Sequence, residues 1–284
     1  MKYISITVIL FFFLYSCGTQ GVEKDGDTIK SSNEIKSILK QTSSSNKSLF
    51  PTKIQDEKKM NNGLTIKWFK HGKGELIQKE DVININYQVF LEDGTLVDGN
   101  ELLMKSHLPF LVGYGMQTKG WDIALQQMHI GDFVEIFLPS KLARGKNGVK
   151  GLIPPNANNV IRLKAIEKIN PTNIINGTKV WLLEENKLEE NKATENSIID
   201  FHYMVGSESN PKYDFSYKRN VPFRMRFTDN GIISGLKKAL INAKRSDKMW
   251  VLVPSSEAYG SKGLLDLVKP NEKVFYDIFV MEVS

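Results

Sequence analysis

The sequence predicts an α+β fold built twice, as two tandem domains, each an antiparallel sheet wrapped around one short helix. Two observations carry this. A short apolar stripe at helical spacing occurs at Trp121, Ala124, Leu125 and Met128, led in by Gly120, and again at Leu236, Ala239, Leu240 and Ala243, led in by Ser234 and Gly235. Trp121 and Leu236 stand 115 positions apart, and other residues keep nearly that offset: Tyr87 with Tyr203, Asp98 with Asp214, Pro139 with Pro254, Gly145 with Gly260, Ile161 with Tyr276. A period that long repeats a whole domain, whereas solenoid units repeat every 20 to 50 residues or so.

The elements of the first copy follow in order. Ile83, Ile85, Tyr87 and Val89 alternate with polar neighbours, the period of two that marks a strand with one buried face. Asp93-Gly94 turns the chain back through Leu96 and Val97 to Asp98. The helix comes after Pro109 and Phe110, and Gly131 is placed to end it. Phe133 to Leu138 reads as a strand, a glycine-rich loop runs from Arg144 to Ala157, and Val160 to about Ile169 is the closing strand. In the second copy Ile199, Phe201, Tyr203 and Val205 repeat the first strand, and Tyr213-Asp214 ends the next segment. Ser234 is suited to cap the helix, Trp250 to Pro254 is the next strand, and Val274 to Val283 closes the sheet. We therefore place the first domain at residues 63–170 and the second, more diverged one at 176–284, with a short linker between.

The N-terminus reads differently. Lys2 precedes an apolar run from Tyr3 to Tyr15, too short for the roughly 20 residues that span a bilayer and suited to the core of a signal peptide. Cys17, the single cysteine, follows at once, so no intramolecular disulfide can form. Leu14-Tyr15-Ser16-Cys17 resembles a bacterial lipobox, which implies a signal peptide over residues 1–16, cleavage before Cys17 and multiple acylation there, enough for a stable membrane anchor. Residues 17–62 are rich in Ser, Lys, Asn, Asp and Thr, and we expect a flexible tether with a reach of roughly 40 Å. These features place the protein in a bacterial cell envelope, in the outer membrane facing the periplasm.

The net charge of +6 is spread among interspersed acids and bases, which argues against nucleic acid as a partner. His71, His107, His129 and His202 have no metal-ligand spacing, and no phosphate-binding glycine motif or nucleophile elbow occurs, so no cofactor or metal is expected. Oligomeric state is not legible.

Asn86-Tyr87, Leu91-Glu92-Asp93-Gly94, Asp98, Gly120-Trp121, the Gly131 turn and Gly151 to Ala157 together resemble the FKBP-type peptidyl-prolyl isomerases, in that family's order. The resemblance implies an apolar pocket that holds a prolyl peptide bond as it twists. In the first domain it implies Trp121 as pocket floor, Tyr87 and Asp98 at wall and rim, Val97, Ile161 and either Leu108 or Phe110 as further walls, Ile153 at the loop and the Thr118 amide as a donor. Arg144 stands where the family has a donating Tyr hydroxyl. In the second it implies Leu236 as floor, Tyr203, Tyr213, Asp214, Phe223 and Tyr276 around it, Val268 at the loop, the Ile233 amide and the Tyr259 hydroxyl as donors. The expected function is prolyl isomerisation of proline-containing polypeptide clients during envelope protein folding. The alternative is a non-catalytic chaperone or adaptor that holds such segments with the same fold.

Overall fold

The structure is a computed structural model that describes residues 53–284. The expected signal peptide, the expected lipobox with Cys17 and most of the expected tether lie outside the described residues. The chain divides into two compact units, with the main boundary between Lys168 and Ile169.

The first unit contains β1 (Asp56–Lys59), β2 (Thr65–Lys70), β3 (Val82–Phe90), β4 (Leu96–Gly99) and β5 (Leu108–Leu111), then α1 (Lys119–Leu125), β6 (Phe133–Leu138) and β7 (Asn159–Lys168). The second contains β8 (Asn173–Ile175), β9 (Thr178–Glu184), β10 (Ile198–Ser207), β11 (Asp214–Phe215) and β12 (Phe223–Arg226), then α2 (Ser234–Leu240), β13 (Lys248–Val253) and β14 (Val274–Val283). The first sheet has the order β1-β2-β6-β7-β3-β4 with β5 also on β3, and the second has β11-β10-β14-β13-β9-β8 with β12 also on β10. Read from opposite ends these are one topology, antiparallel at every pairing. The predicted α+β duplication is the observed fold.

Each helix has seven residues, too few to be stable alone, so it exists because its apolar face is buried on the sheet. Gly120 and Gly235 explain the lead-in to both stripes. A Cβ on Gly120 would lie 2.7 Å from Leu138 Cδ2 and 2.8 Å from the Leu142 carbonyl oxygen, and one on Gly235 would lie 2.3 Å from Val253 Cγ1. Only glycine lets the helix start this close to the strand end.

Several boundaries differ from the sequence reading. The first domain starts before residue 63, because β1 pairs with β2 from Asp56 opposite Trp68 to Lys59 opposite Thr65. The expected linker is β8, which pairs with β9 through Asn173 opposite Val180, so the second domain starts before residue 176. Both are short outer strands with exposed side chains, which leaves no apolar alternation to read. The first helix ends at Leu125, well before Gly131, whose φ of +94° instead serves the turn into β6. Met128 stays buried beyond the helix end, so the stripe outruns the helix. Ser234 is the first helical residue and caps nothing; its hydroxyl donates to Glu257 Oε2 at 2.6 Å.

Candidate functional site

The concave side of each sheet meets its helix at one cluster of aromatic and acidic side chains. In the first domain β3 carries Tyr87 and β4 carries Asp98. The backbone register that sets Val89 opposite Asp98 brings the Tyr87 hydroxyl to donate to Asp98 Oδ2 at 3.2 Å. Trp121, on the buried face of α1, meets Tyr87 edge to face with centroids 5.1 Å apart, and Phe110 of β5 stacks on it at 5.8 Å and 13°. Val97, Ile153 and Ile161 are buried. Thr118 stands one residue before α1 with its hydroxyl oxygen buried and unpartnered.

The second domain repeats the arrangement. Val205 stands opposite Asp214, and the Tyr203 hydroxyl donates to Asp214 Oδ2 in a short hydrogen bond. Phe223 of β12 meets Tyr203 edge to face at 6.1 Å, and Tyr276 of β14 lies 6.3 Å from it. Ile233, Leu236, Val268 and Tyr276 are buried in one core cluster, against which Tyr203, Tyr213, Phe223 and Tyr259 pack. The Tyr213 hydroxyl is buried and has no partner at hydrogen-bond distance. Burial first pushes the Tyr213 and Tyr276 phenols well above the usual tyrosine range, followed by Tyr259 for Tyr213 and by Tyr213 and then Tyr259 for Tyr276. These tyrosines are neutral.

The two carboxylates differ in their surroundings. Burial pushes Asp98 up to about 6, against the lowering effects of the Gly99 amide, the Tyr87 hydroxyl and the Arg144 charge. Burial also raises Asp214, but Arg219, Tyr203 and the Phe215 amide together outweigh it and hold the carboxyl below its ordinary value. Arg219 donates to Asp214 Oδ1 at 2.5 Å and to the Tyr203 hydroxyl at 3.1 Å. The cation beside Asp98 is Arg144, in the loop between β6 and β7, whose guanidinium donates to Gln117 Oε1 at 2.6 Å.

Those loops superpose in conformation, although their sequences differ. Arg144 and Tyr259 occupy one backbone position, at φ −90° and −107°. Val149 and Ile153 exchange hydrogen bonds as Leu264 and Val268 do, and Asn156 donates to the Gly145 carbonyl as Asn271 does to that of Gly260. Gly148 and Gly263 both have positive φ, with a carbonyl oxygen 2.3 and 2.4 Å from where a Cβ would sit. The second domain's loop, diverged as it is, keeps Val268 in the position of Ile153.

One correspondence is shifted. Leu108 stands opposite Ile85 and Phe223 opposite Phe201, so the counterpart of Phe223 is Leu108, and that of Phe110 is Met225. The Pro-Phe pair that recurs in sequence is thus out of register, and the third aromatic enters each site from a different place.

Sequence reasoning missed residues that hold the walls in place. Asn100 Oδ1 accepts from the Tyr87 amide at 2.6 Å and Ser216 Oγ from that of Tyr203 at 2.8 Å, each two residues after its aspartate. A polar residue at the same step in both copies was the available signal. Arg219 left no such signal, because the matching stretch of the first domain is Leu102-Leu103-Met104. No group of His, Cys, Asp or Glu among the described residues is arranged to hold a metal ion.

A profile described as FKBP-type peptidyl-prolyl cis-trans isomerase matches residues 73–164 and again 189–281. The chain belongs to the FKBP-type peptidyl-prolyl isomerase family. Among curated relatives, the peptidyl-prolyl cis-trans isomerase FKBP9 of Bos taurus is 28% identical over 211 residues, which is 72% of this chain and 35% of that protein. FKBP10 of Mus musculus is 22% identical over 207 residues, 73% of this chain and 35% of its own length. Mip of Coxiella burnetii is 32% identical over 109 residues, 38% of this chain and 46% of that protein. The chain thus spans about a third of the length of these mammalian FKBP relatives. Among solved structures, the three FKBP domains of wheat FKBP73 match with a TM-score of 0.39 and 24% identity, over 79% of this chain and 96% of that one.

Proposed function

We propose that the chain is a peptidyl-prolyl cis-trans isomerase whose second domain does most of the catalysis. The observation that carries this is the Tyr203–Asp214–Arg219 wall, closed by Phe223, Tyr276 and Tyr259 around Leu236. Rotation about a prolyl bond is opposed by amide conjugation, a barrier of about 18 to 20 kcal/mol. At the twisted transition state conjugation is lost and the charge separation across the amide shrinks, so an apolar enclosure favours it over the planar ground state. The aromatic walls supply the enclosure. The Tyr259 hydroxyl and the Ile233 amide hold substrate carbonyls on either side, so that the two ends of the bond are fixed while it turns. No nucleophile or bond cleavage is involved, and the neutral tyrosines suit such a site.

The first domain supports a second reading for its own site. Arg144 can donate a hydrogen bond, but its charge resists the desolvation that an apolar enclosure needs. That favours holding a proline-containing segment over isomerising it, a chaperone or adaptor role beside the catalytic copy. The clients are exported or envelope polypeptides, and the membrane is reached through acylated Cys17, with the folded part in the periplasm at the outer membrane. Incorporation of labelled palmitate into the native chain but not into Cys17→Ser tests the anchor. Isomerisation of a proline peptide by the full chain, with Tyr259→Phe and Asp214→Asn set against Tyr87→Phe and Asp98→Asn, tests the division of labour.

A further inference from the structure

The two site loops have one backbone and opposite surface chemistry. Between Pro139 and Val160 the first domain has Lys141, Arg144, Lys146 and Lys150 and no Asp or Glu. Lys141, Lys146 and Lys150 are exposed and form no ion pair with any described residue. The same loop brings Arg144 to Asp98 and Tyr87 and buries Ile153, so these lysines stand on a loop that contributes to the site. In the second domain the residue that matches Lys150 is Leu265, 88% exposed, followed by Leu267 at 37%. Charges in that loop are mixed, and Glu257 is bonded to Lys238 and Glu272 to Ser209.

We propose that the first site selects clients by what flanks the proline: it takes segments with acidic side chains beside it, which the second site does not favour. This rests on the reading that both domains receive proline-containing segments. Its basis is charge complementarity. An acidic side chain next to a proline seated on Trp121 meets a loop of unpaired ammonium groups with no competing acid in it, whereas the second loop carries mixed charges and Leu265 where the first has Lys150.

The test uses the full chain and two proline peptides, one with Glu and one with Leu before the proline, followed by NMR exchange for isomerisation and by the Trp121 indole resonance for occupancy of the first site. The loop reversal Lys141→Glu, Lys146→Glu, Lys150→Glu is compared with the reversal Lys53→Glu, Lys187→Glu, Lys192→Glu elsewhere on the surface. The Glu peptide should perturb Trp121 in the native chain and lose affinity by about fivefold or more in the loop variant, as expected for several exposed charge pairs. Its affinity should fall with added salt, while the Leu peptide changes by less than about twofold in either. Equal affinity of the two peptides for the first site, or an equal loss in both reversals, overturns the selection while leaving proline binding intact. Loop lysines that serve only to bind anionic phospholipid vesicles, with no effect on either peptide, overturn it as well. If neither peptide binds or is isomerised, the isomerase reading fails and takes this proposal with it.

Discussion

Each site has a carboxylate that accepts a tyrosine hydroxyl, and the cation beside it comes from a different loop in each. In the second domain Arg219 lies five residues beyond Asp214; in the first Arg144 reaches Asp98 from the position that Tyr259 holds in the other copy. The consequence is a different response to pH. Asp98 has its pKa raised from 3.8 to about 6, so the folded state binds more protons than the unfolded between those values, and this group's contribution to stability falls as pH rises through that window. Asp98→Asn should flatten that part of the stability curve in denaturant titrations at pH 4 and 7. Asp214 has the opposite sign: its stabilising contribution is present above the ordinary carboxylate range and is lost as pH falls through the lowered value. A carbon-13 NMR titration of the two carboxyls should find Asp98 titrating near pH 6 and Asp214 ionised at pH 4. Tyr259→Phe removes one hydroxyl donor, and should lower kcat/KM by about threefold to tenfold in a peptide isomerisation assay. At this scale Tyr87, Tyr203, Asp98 and Asp214 were legible because both copies keep them in one register. Leu108 and Phe110 were both open as the third wall because the Pro-Phe dipeptide recurs two residues out of step with the strands, and the register pairs Leu108 with Phe223.

At the scale of elements, the short helices depend on the turns that follow them. Asp132 is fully buried and accepts from the Trp68 indole at 2.8 Å, the Gly72 amide at 2.6 Å and the His129 amide at 2.9 Å, so it ties β2 to the turn after α1. Asp247 does the same in the second domain, accepting from the Asn186 and Lys244 amides at 2.8 and 2.9 Å. Asp132→Ala leaves one buried and two part-buried donors without that acceptor and should cost about 2 kcal/mol or more, read by chemical denaturation of the full chain. Asp132→Asn, which keeps an acceptor, should cost less. The apolar stripes located both helices, but their ends were not readable, because packing buries Met128 and Ala243 beyond the last helical turn. The strands with clear alternation were found, whereas β2 and β9 were passed over although they seat Ile66, Trp68, Val180 and Trp181 in the cores.

At the scale of the whole molecule, duplication is the legible feature, since a repeat of about 115 residues needs no knowledge of structure to see. What it hid was the first hairpin of each copy, whose outer strands are short: β1 has four exposed polar residues, and β8 has three residues whose Ile174 and Ile175 are adjacent and do not alternate with polar ones. A chain that starts at Gly63 lacks β1 and exposes the edge of β2, and should unfold at lower denaturant than one that starts at Lys53. The central claim is that two copies of one site have diverged into a catalytic copy and a holding copy. The most direct test is prolyl isomerisation by the full chain with each site disabled in turn, by Tyr203→Phe with Asp214→Asn or by Tyr87→Phe with Asp98→Asn. The account predicts that rate is lost with the second site and largely kept without the first, while both variants still bind a proline peptide through the remaining site. Rate that survives loss of the second site, or that falls only with loss of the first, would contradict it.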